Sequence, residues 1–311
     1  MANNAPLLTD LFSPQTLSEV SIQFRQPNFI GSSILPIVQV PKPSGRFFKY
    51  GQNDFYTLTN DLADYRADVA DISPSYEADN YSVVYHALSS FVGEDEILAA
   101  DVPINPLVDA TTYLTERLML GHEQRVAALA FNAANFATSN KLTPTTKWDQ
   151  NSSDPIGDIF AAIDGTLGND GLYGAIGIEA FRVLQKHPDI VAAFHFVSEG
   201  AVASRQQIAN FFGLRDLYVG EARINNANIG QTASLGRVWG DNMLIYRRPE
   251  NPSPRAAAFG YTFAFNNREV LTQQNLMRGG GRGGVDLKVT FAYDTKITGA
   301  PCGFLINDCL T

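Results

Sequence analysis

Histidine and cysteine, the residues best suited to metal and nucleophile chemistry, are scarce in this 311-residue chain, with four and two copies. His122-Glu123 begins like the helical H-E-x-x-H zinc motif, but Val126 stands where the second histidine ligand belongs. We therefore expect His122 to be a surface or buffered position on its helix. The segment Gly31-Ser32-Ser33-Ile34-Leu35 lacks the second glycine of a G-x-S-x-G nucleophile elbow. Hydrolase chemistry is not indicated.

Other candidate chemistry is also incomplete. Cys302 and Cys309 are too few for a disulfide framework or a four-thiolate zinc site, so we expect small structural residues near a terminal strand. The glycine-rich run 278–284 lacks the Gly-Lys-Ser/Thr ending of a nucleotide-binding loop, which favours a flexible loop with two exposed arginines. Carboxylate pairs such as Glu94 and Glu96 act as acid and base only inside a cleft, which the sequence does not define. We predict no catalytic residue, no metal site and no cofactor.

An acidic stretch lies within residues 60–72, where apolar residues follow the acidic ones at the same spacing. If helical, this stretch is a short amphipathic helix with an acidic face. Known calcium loops need a glycine turn and alternating ligands, which are absent here. A solvated acidic face is therefore favoured over a divalent-ion site. Its aspartates recur at three- and four-residue steps: Asp61, Asp64, Asp68 and Asp71.

Composition bounds the class of protein. Hydrophobic residues make up 45% and charged residues 18% of the chain, which is typical of a globular protein. The sequence shows neither a signal-peptide pattern nor an apolar run near the ~18 residues of a membrane helix, so we expect a cytosolic protein with no membrane partner. The length of 311 residues predicts two lobes, or one domain with long insertions.

The formal net charge of −9 argues against an autonomous nucleic-acid binder, because such proteins present a basic field to the phosphates. Proximity to DNA remains compatible with this charge. A protein that encloses nucleic acid without gripping it gains from weak mutual repulsion. This hypothesis about role rests on charge alone.

The most prominent predicted element is a helix over residues 105–135, which we call the spine helix. Asn105 suits its N-cap and Pro106 its first helical position, where the missing N–H costs nothing. Thr115, Glu116, Glu123 and Gln124 lie mostly off its apolar stripe, which Arg125 interrupts. We expect one face to be buried, through residues at three- and four-residue steps: Leu107, Ala110, Leu114, Leu118, Gly121, Ala128 and Leu129.

An arm and a projecting hairpin are predicted before the spine helix. Residues 1–45 are rich in Pro, Ser and Asn, which suits an extended arm whose apolar residues lie against something else. Residues 46–50 and 76–91 are strand-like, and a long tip joins them. In the second strand, alternation places Tyr81, Val83, Tyr85 and Ala87 on one face.

Strands and helices alternate after the spine helix. Asp154-Pro155 opens an amphipathic helix, and Ser204 with Gln207 forms a capping box for another. Between them a strand at 175–178 leads into a helix that ends at His187-Pro188, since the residue before proline leaves the helical region. Residues 217–223, 235–246, 259–265 and 285–306 are strand-like.

Three strings stand out in this second half. They are Gly177-Ile178-Glu179-Ala180-Phe181-Arg182-Val183-Leu184 with His187-Pro188-Asp189-Ile190, then Tyr218-Val219-Gly220-Glu221-Ala222, then Val238-Trp239-Gly240-Asp241-Asn242. Each is similar to a string in the axial domain of the major capsid proteins of tailed bacteriophages, which have the Hong Kong 97 fold. The order of parts along nearly the whole chain resembles that family too.

The resemblance implies an α+β fold of the Hong Kong 97 type and a division of the chain. Residues 1–45 would be the N-terminal arm and 46–91 the extended β-hairpin loop that reaches over an adjacent subunit. Residues 92–145 would form the peripheral domain with the spine helix, and 259–311 its return strands. Residues 146–258 would form the α/β axial domain around the pentamer and hexamer axes.

The function implied is a head shell protein of the virion, assembled in the host cytoplasm around double-stranded DNA. Its partners would be copies of itself and a portal, with a decoration protein as a further candidate. No long N-terminal scaffold extension is visible, so a separate scaffolding protein is expected, and no Lys–Asn–Glu crosslinking set is matched. The alternatives are an encapsulin-like cellular compartment with the same fold and, from another class, a two-lobed small-molecule enzyme.

If the chain assembles, three segments are predicted to contact neighbouring subunits. These are the arm, the acidic stretch of the loop and the tip of the axial domain. The candidate residues are Phe24, Arg25, Phe29 and Ile30 in the arm, Asp61, Asp64, Arg66 and Asp68 in the loop, and Asn210 and Arg215 at the tip.

Overall fold

Two β-sheets and one long helix organise the molecule. The computed structural model describes residues 14–23, 29–49, 77–101, 104–168, 171–194, 203–228, 230–253, 256–278 and 281–311. The helices in these ranges are α1 (Pro14–Gln23), α2 (Gly31–Ile34), α3 (Glu94–Ala99), α4 (Pro106–Ala130), α5 (Pro155–Gly165), α6 (Ile178–Lys186), α7 (Pro188–Phe194) and α8 (Arg205–Phe211).

The described strands form two large sheets and two small ribbons. The first sheet has the order β1-β11-β12-β4 and the second the order β5-β13-β10-β6-β7, while β2 pairs with β3 and β8 with β9. The strands are β1 (Ile37–Gln39), β2 (Ser44–Lys49), β3 (Glu77–Ser82), β4 (Val84–Gly93), β5 (Lys141–Leu142), β6 (Leu172–Gly177), β7 (Asp216–Gly220), β8 (Arg223–Asn225), β9 (Leu235–Arg237), β10 (Met243–Arg247), β11 (Gly260–Asn275), β12 (Gly284–Ile297) and β13 (Gly303–Ile306).

The spine helix, α4, begins as the sequence predicts. The Asn105 side chain accepts the backbone N–H groups of Leu107 and Val108 at 3.2 and 3.3 Å. The helix ends at Ala130, however, and the predicted end at residue 135 is wrong. The reason is local, because the Asn132 side chain accepts the Ala134 N–H and caps a separate 3-10 turn.

The buried face of the spine helix differs from the predicted stripe. Val126, Ala127 and Ala130 are buried towards its C-terminal end, whereas Ala128 is exposed. The predictions that Thr115 and Glu123 lie off the buried face are wrong. Thr115 Oγ1 donates to the Thr111 carbonyl at 2.7 Å and Glu123 accepts three hydrogen bonds, and such satisfied polar groups are tolerated inside proteins.

The first sheet is built on a long hairpin, β11 and β12, with β4 on one side and the parallel strand β1 on the other. The spine helix and α1 pack on this sheet. The apolar core between them contains Leu17, Leu107, Leu114, Leu118, Leu287, Val289 and Phe291.

The second sheet lies in the predicted axial region and is flanked by α5, α6 and α8. All six residues of its inner strand β6 are buried, as expected for a strand covered on both faces. Strand β13 pairs with β10 in this sheet, although it lies within the predicted peripheral return 259–311. The domain bounds therefore stay a prediction, and this strand joins the second sheet rather than the first.

The ribbon of β2 and β3 is the base of the predicted projecting hairpin. It is anchored by aromatic packing, since the rings of Tyr81 and Phe47 lie 4.8 and 5.4 Å from the ring of Phe263 in β11. The predicted single strand 76–91 is interrupted at Val83, where its N–H donates to the Pro43 carbonyl. This break ends the predicted alternation, because Tyr81 is buried while Tyr85 is exposed.

Candidate assembly surfaces and the joints behind them

A buried carboxylate joins three distant parts of the chain. Glu123, on the spine helix, is 1% exposed. Its Oε1 accepts the Ile30 N–H and the indole N–H of Trp239, and its Oε2 accepts the Gly31 N–H, each at 2.7 Å. The Ile30 and Gly31 amides open helix α2, so an anion at this position also suits the helix dipole. We call this group the Glu123 joint.

Burial raises the pKa of Glu123, and the three hydrogen bonds to the carboxylate act in the opposite direction. The sequence did not reveal this joint. Glu123 stands 92 residues after Gly31, and Trp239 stands 116 residues after Glu123. No local sequence pattern therefore indicates these contacts.

The other end of helix α2 is also held by the body of the chain. The Ser33 carbonyl accepts the Tyr246 hydroxyl at 3.1 Å and an Arg248 N–H at 2.8 Å, and the Arg248 guanidinium lies 4.3 Å from the Tyr173 ring centre. The side chain of Ile30 is buried in its own chain. Ile30 thus anchors the segment to its own chain, whereas Phe29 is half-buried, and the subunit contacts of both stay predictions.

The three strings that carry the family resemblance meet at Trp239. A Cβ on Gly220 would lie 2.3 Å from the Trp239 ring, and one on Gly177 would lie 1.7 Å from the Gly240 carbonyl oxygen. Both distances are below any tolerable contact, so these positions require glycine for close approach. The strings are thus parts of one packed site, which the Glu123 joint ties to the spine helix.

A serine, a histidine and an aspartate lie together but are not arranged as a catalytic triad. Ser153 Oγ is 3.0 Å from His187 Nε2, and Asp189 Oδ2 is 3.6 Å from His187 Nδ1. Asp189 Oδ2 lies beyond hydrogen-bond distance of Nδ1, and the Ser153 hydroxyl donates to the Gln150 carbonyl at 2.8 Å. Ser153 and His187 are also buried, so this group is a structural contact at the corner between α6 and α7.

His122 is buried, so its predicted surface position is wrong. Its Nε2 lies 3.4 Å from Thr262 Oγ1, and its ring meets the Tyr293 ring edge-on at 5.0 Å. Arg125 donates to the Tyr293 hydroxyl at 2.6 Å. Burial, followed by Arg125, Arg268 and His86, lowers the pKa of His122 to about 4. The imidazole is therefore neutral at pH 7.

The described residues offer little for metal or thiol chemistry. They contain no group of three or more His, Cys, Asp or Glu side chains placed to hold a metal ion. Cys302 and Cys309 are free and buried, and burial raises the pKa of the Cys302 thiol to about 11 and that of Cys309 further. Among the described helices, none is both long and apolar enough to span a membrane.

The predicted axial tip carries exposed aromatic rings. Asn210 is exposed on α8, where it accepts a hydrogen bond from Gln206, and Arg215 is exposed and paired with Glu250. Phe211 is 38% exposed, and its ring lies 6.3 Å from that of Phe160, which is 43% exposed. An apolar patch beside polar residues is typical of a protein-binding surface.

Other apolar side chains are exposed at the ends of projecting elements. Leu276 and Met277 lie at the tip of the β11–β12 hairpin and are 71% and 98% exposed. Val84 and Tyr85 are more than half exposed on β4, a strand at the edge of the first sheet. Exposed apolar groups on an edge strand favour pairing with another chain.

Several predicted contact residues cannot be placed. Phe24 and Arg25 of the arm lie outside the described residues, as do Asp61, Asp64, Arg66 and Asp68 of the loop. Arg278 and Arg282 flank the glycine-rich turn and are more than 60% exposed at the side chain, in ion pairs with Asp286 and Asp95. All the contact candidates stay predictions.

No family model matches the chain. It is 28% identical to the major capsid protein of Pseudomonas phage JBD67, over 99% of both chains. Among solved structures it is similar to a phage-related protein from Bordetella bronchiseptica RB50, with a TM-score of 0.77, 22% identity, and 95% and 97% of the two chains covered.

A second structural likeness is to the capsid of Cyanophage P-SCSP1u, with a TM-score of 0.60, 13% identity, and 99% and 96% of the two chains covered. At this identity the likeness shows the fold alone. It confirms the predicted α+β capsid fold of the Hong Kong 97 type. The chain is thus similar over its full length to a phage major capsid protein, and its fold is that of phage capsids.

Proposed function

We propose that the chain is a major capsid protein of tailed bacteriophages, a structural component of the virion, whose pentamers and hexamers close an icosahedral head shell around double-stranded DNA. The observation that carries the proposal is the similarity to a phage major capsid protein over 99% of the chain. The net charge of −9 suits enclosure of DNA without sequence-specific binding. A separate scaffolding protein, a portal and a decoration protein complete the proposed partners, with assembly in the host cytoplasm.

The base of the extended loop supports a role in assembly. Phe47 and Tyr81 are 2% and 7% exposed and pack on Phe263, so the ribbon is fixed to the first sheet. A fixed base sets the direction of the chain at Lys49 and at Glu77, where the proposed loop begins and ends. A loop that leaves in a set direction meets a neighbour with less loss of conformational entropy than a freely jointed one.

The exposed aromatic rings near Asn210 support a role for the second sheet around the capsomer axes. Phe160 and Phe211 are the two exposed members of a group whose third ring, Phe212, is buried. Rings fixed by a buried neighbour bring apolar area to an interface at low entropic cost, and aromatic residues are enriched at the centres of interfaces.

Expression with the scaffolding gene of its phage, followed by sedimentation velocity and negative-stain electron microscopy, tests the proposal. We expect closed shells built from rings of five and six subunits. Soluble monomers at every concentration would contradict it. Shells that enclose a co-purifying host enzyme instead of DNA would indicate the encapsulin-like compartment.

Deletion of residues 55–75 tests the role assigned to the loop. The subunit should stay folded, because the ribbon and both sheets lie outside the deletion. It should fail to close shells. Normal shells from the deletion variant would refute the assignment, while the circular dichroism spectrum and melting temperature establish that the subunit is intact.

A further inference from the structure

A groove lined by arginines lies between the spine helix and the second sheet. We propose that this groove binds the acidic stretch 61–71 of a second copy of the chain. This inference rests on the proposed self-assembly, and it names the surface that receives the loop. The groove is a cavity of about 480 Å³, and its charged lining is Arg117, Arg182, Arg223, Arg237, Glu116 and Glu221.

The arginines reach the groove from separate elements. Arg117 lies on the spine helix, Arg182 on α6, and Arg223 and Arg237 on the β8–β9 ribbon. Four arginines against two glutamates leave the lining with a formal charge of 4 − 2 = +2. In a chain with a net charge of −9, such a concentration of guanidinium groups favours an anionic partner.

Three of these guanidinium groups are available to a partner. Arg237 pairs with Glu179 at 3.5 Å, whereas Arg117, Arg182 and Arg223 make no ion pair within the described part of the chain. All three are exposed, and Arg117 lies over the Tyr113 ring at 5.2 Å. Guanidinium groups match carboxylates in a planar, two-bond geometry, which makes an aspartate-rich segment a suitable ligand.

The acidic stretch has the complementary charge. Between residues 61 and 71 the chain carries four aspartates and one arginine, Arg66, a formal charge of 1 − 4 = −3. Glu221 in the groove would repel a continuous polyanion such as DNA. It would instead suit a ligand that carries a cation among its carboxylates, as Arg66 does.

The length of the loop allows it to reach a neighbour. The ribbon ends at Lys49 and resumes at Glu77, which leaves 27 residues outside the described part of the chain. Half of that length, extended at about 3.3 Å per residue, spans roughly 45 Å. This exceeds the radius of gyration of about 20 Å expected for a compact chain of this size.

Charge reversal tests the pairing. The variant Arg182→Glu/Arg223→Glu and the variant Asp64→Arg/Asp68→Arg should each lower the yield of shells at least tenfold, with unchanged melting temperatures of the subunits. Combining all four substitutions should restore shells. Lys186→Glu/Lys288→Glu, two exposed positions with the same change of charge, serves as the control and should assemble normally.

Each other result overturns the inference. Normal shells from the Arg182→Glu/Arg223→Glu variant would show that the groove is not used in assembly. The proposed function would still stand in that case, because the wild-type protein forms shells as well. Failure of the fourfold variant to form shells would overturn the pairing of the groove with the acidic stretch. A disulfide between Arg182→Cys and Asp64→Cys should give a ladder of multimers on a non-reducing gel, and monomers alone would exclude a second copy as the source. Absence of wild-type shells would contradict the proposed function itself, and this inference with it.

Discussion

Replacement of Glu123 by glutamine should weaken the subunit, because the carboxylate accepts three buried N–H groups. An amide has one acceptor oxygen, so at least one of these donors must face the NH2 group. If Oε1 keeps Ile30 and Trp239, the Gly31 N–H is left unpaired. A buried unpaired donor costs about 1–3 kcal/mol. Removal of the buried charge offsets part of this cost, and we expect a net loss of about 2 kcal/mol.

The assay is urea unfolding at pH 7, below the concentration at which shells form. The chain has two tryptophans, so a Trp148→Phe background leaves Trp239, whose indole donates to Glu123, as the local reporter. The matched control is Glu269→Gln, an exposed carboxylate on β11. A Glu123→Gln variant within about 0.5 kcal/mol of the parent would refute the reasoning, since a change that small is typical of surface substitutions.

Three further substitutions follow from the structure. The pKa of His122 is about 4 in the folded chain and 6.5 in the reference state, so the unfolded chain binds the proton first and stability falls as pH drops from 6.5 to 4. His122→Gln should remove about 3 kcal/mol of this loss of unfolding free energy, which urea unfolding at pH 7 and 4.5 measures. If the variant loses as much unfolding free energy between the two pH values as the parent does, the prediction is contradicted. Phe47→Ala should cost about 3 kcal/mol and the exposed neighbour Phe48→Ala less than about 1 kcal/mol by thermal denaturation, and equal costs would exclude the aromatic anchor. Phe211→Glu should abolish capsomers in size-exclusion chromatography without unfolding the subunit, whereas Lys186→Ala should not, and intact capsomers from Phe211→Glu would remove the ring from the axial contact.

Features with a local cause could be predicted from the sequence. Asn105 caps the spine helix, and Ser204 and Gln207 form both bonds of the predicted capping box, because each signal lies within one helical turn. The end of the spine helix was predicted too late because the apolar pattern continues past Ala130. Asn132 ends the helix by capping the next turn, which is a 3-10 turn. Residue composition alone does not predict such a change of backbone geometry.

Features with a distant cause could not be predicted. Glu123 looks like a solvent-facing acid by its neighbours, and its burial depends on donors that only the fold brings to it. His122 looks like a surface histidine until the aromatic rings of β12 cover it. The glycines of the family strings did carry a usable signal, because Gly177 and Gly220 stand where another part of the chain approaches too closely for a side chain.

Self-assembly through the extended loop can be tested by a cryo-electron microscopy reconstruction of particles formed with the scaffolding protein. We expect a closed shell in which each subunit keeps the two sheets and the Glu123 joint, while its extended loop lies on an adjacent subunit. A particle in which every loop folds back on its own subunit, or a preparation that contains only folded monomers, would contradict it.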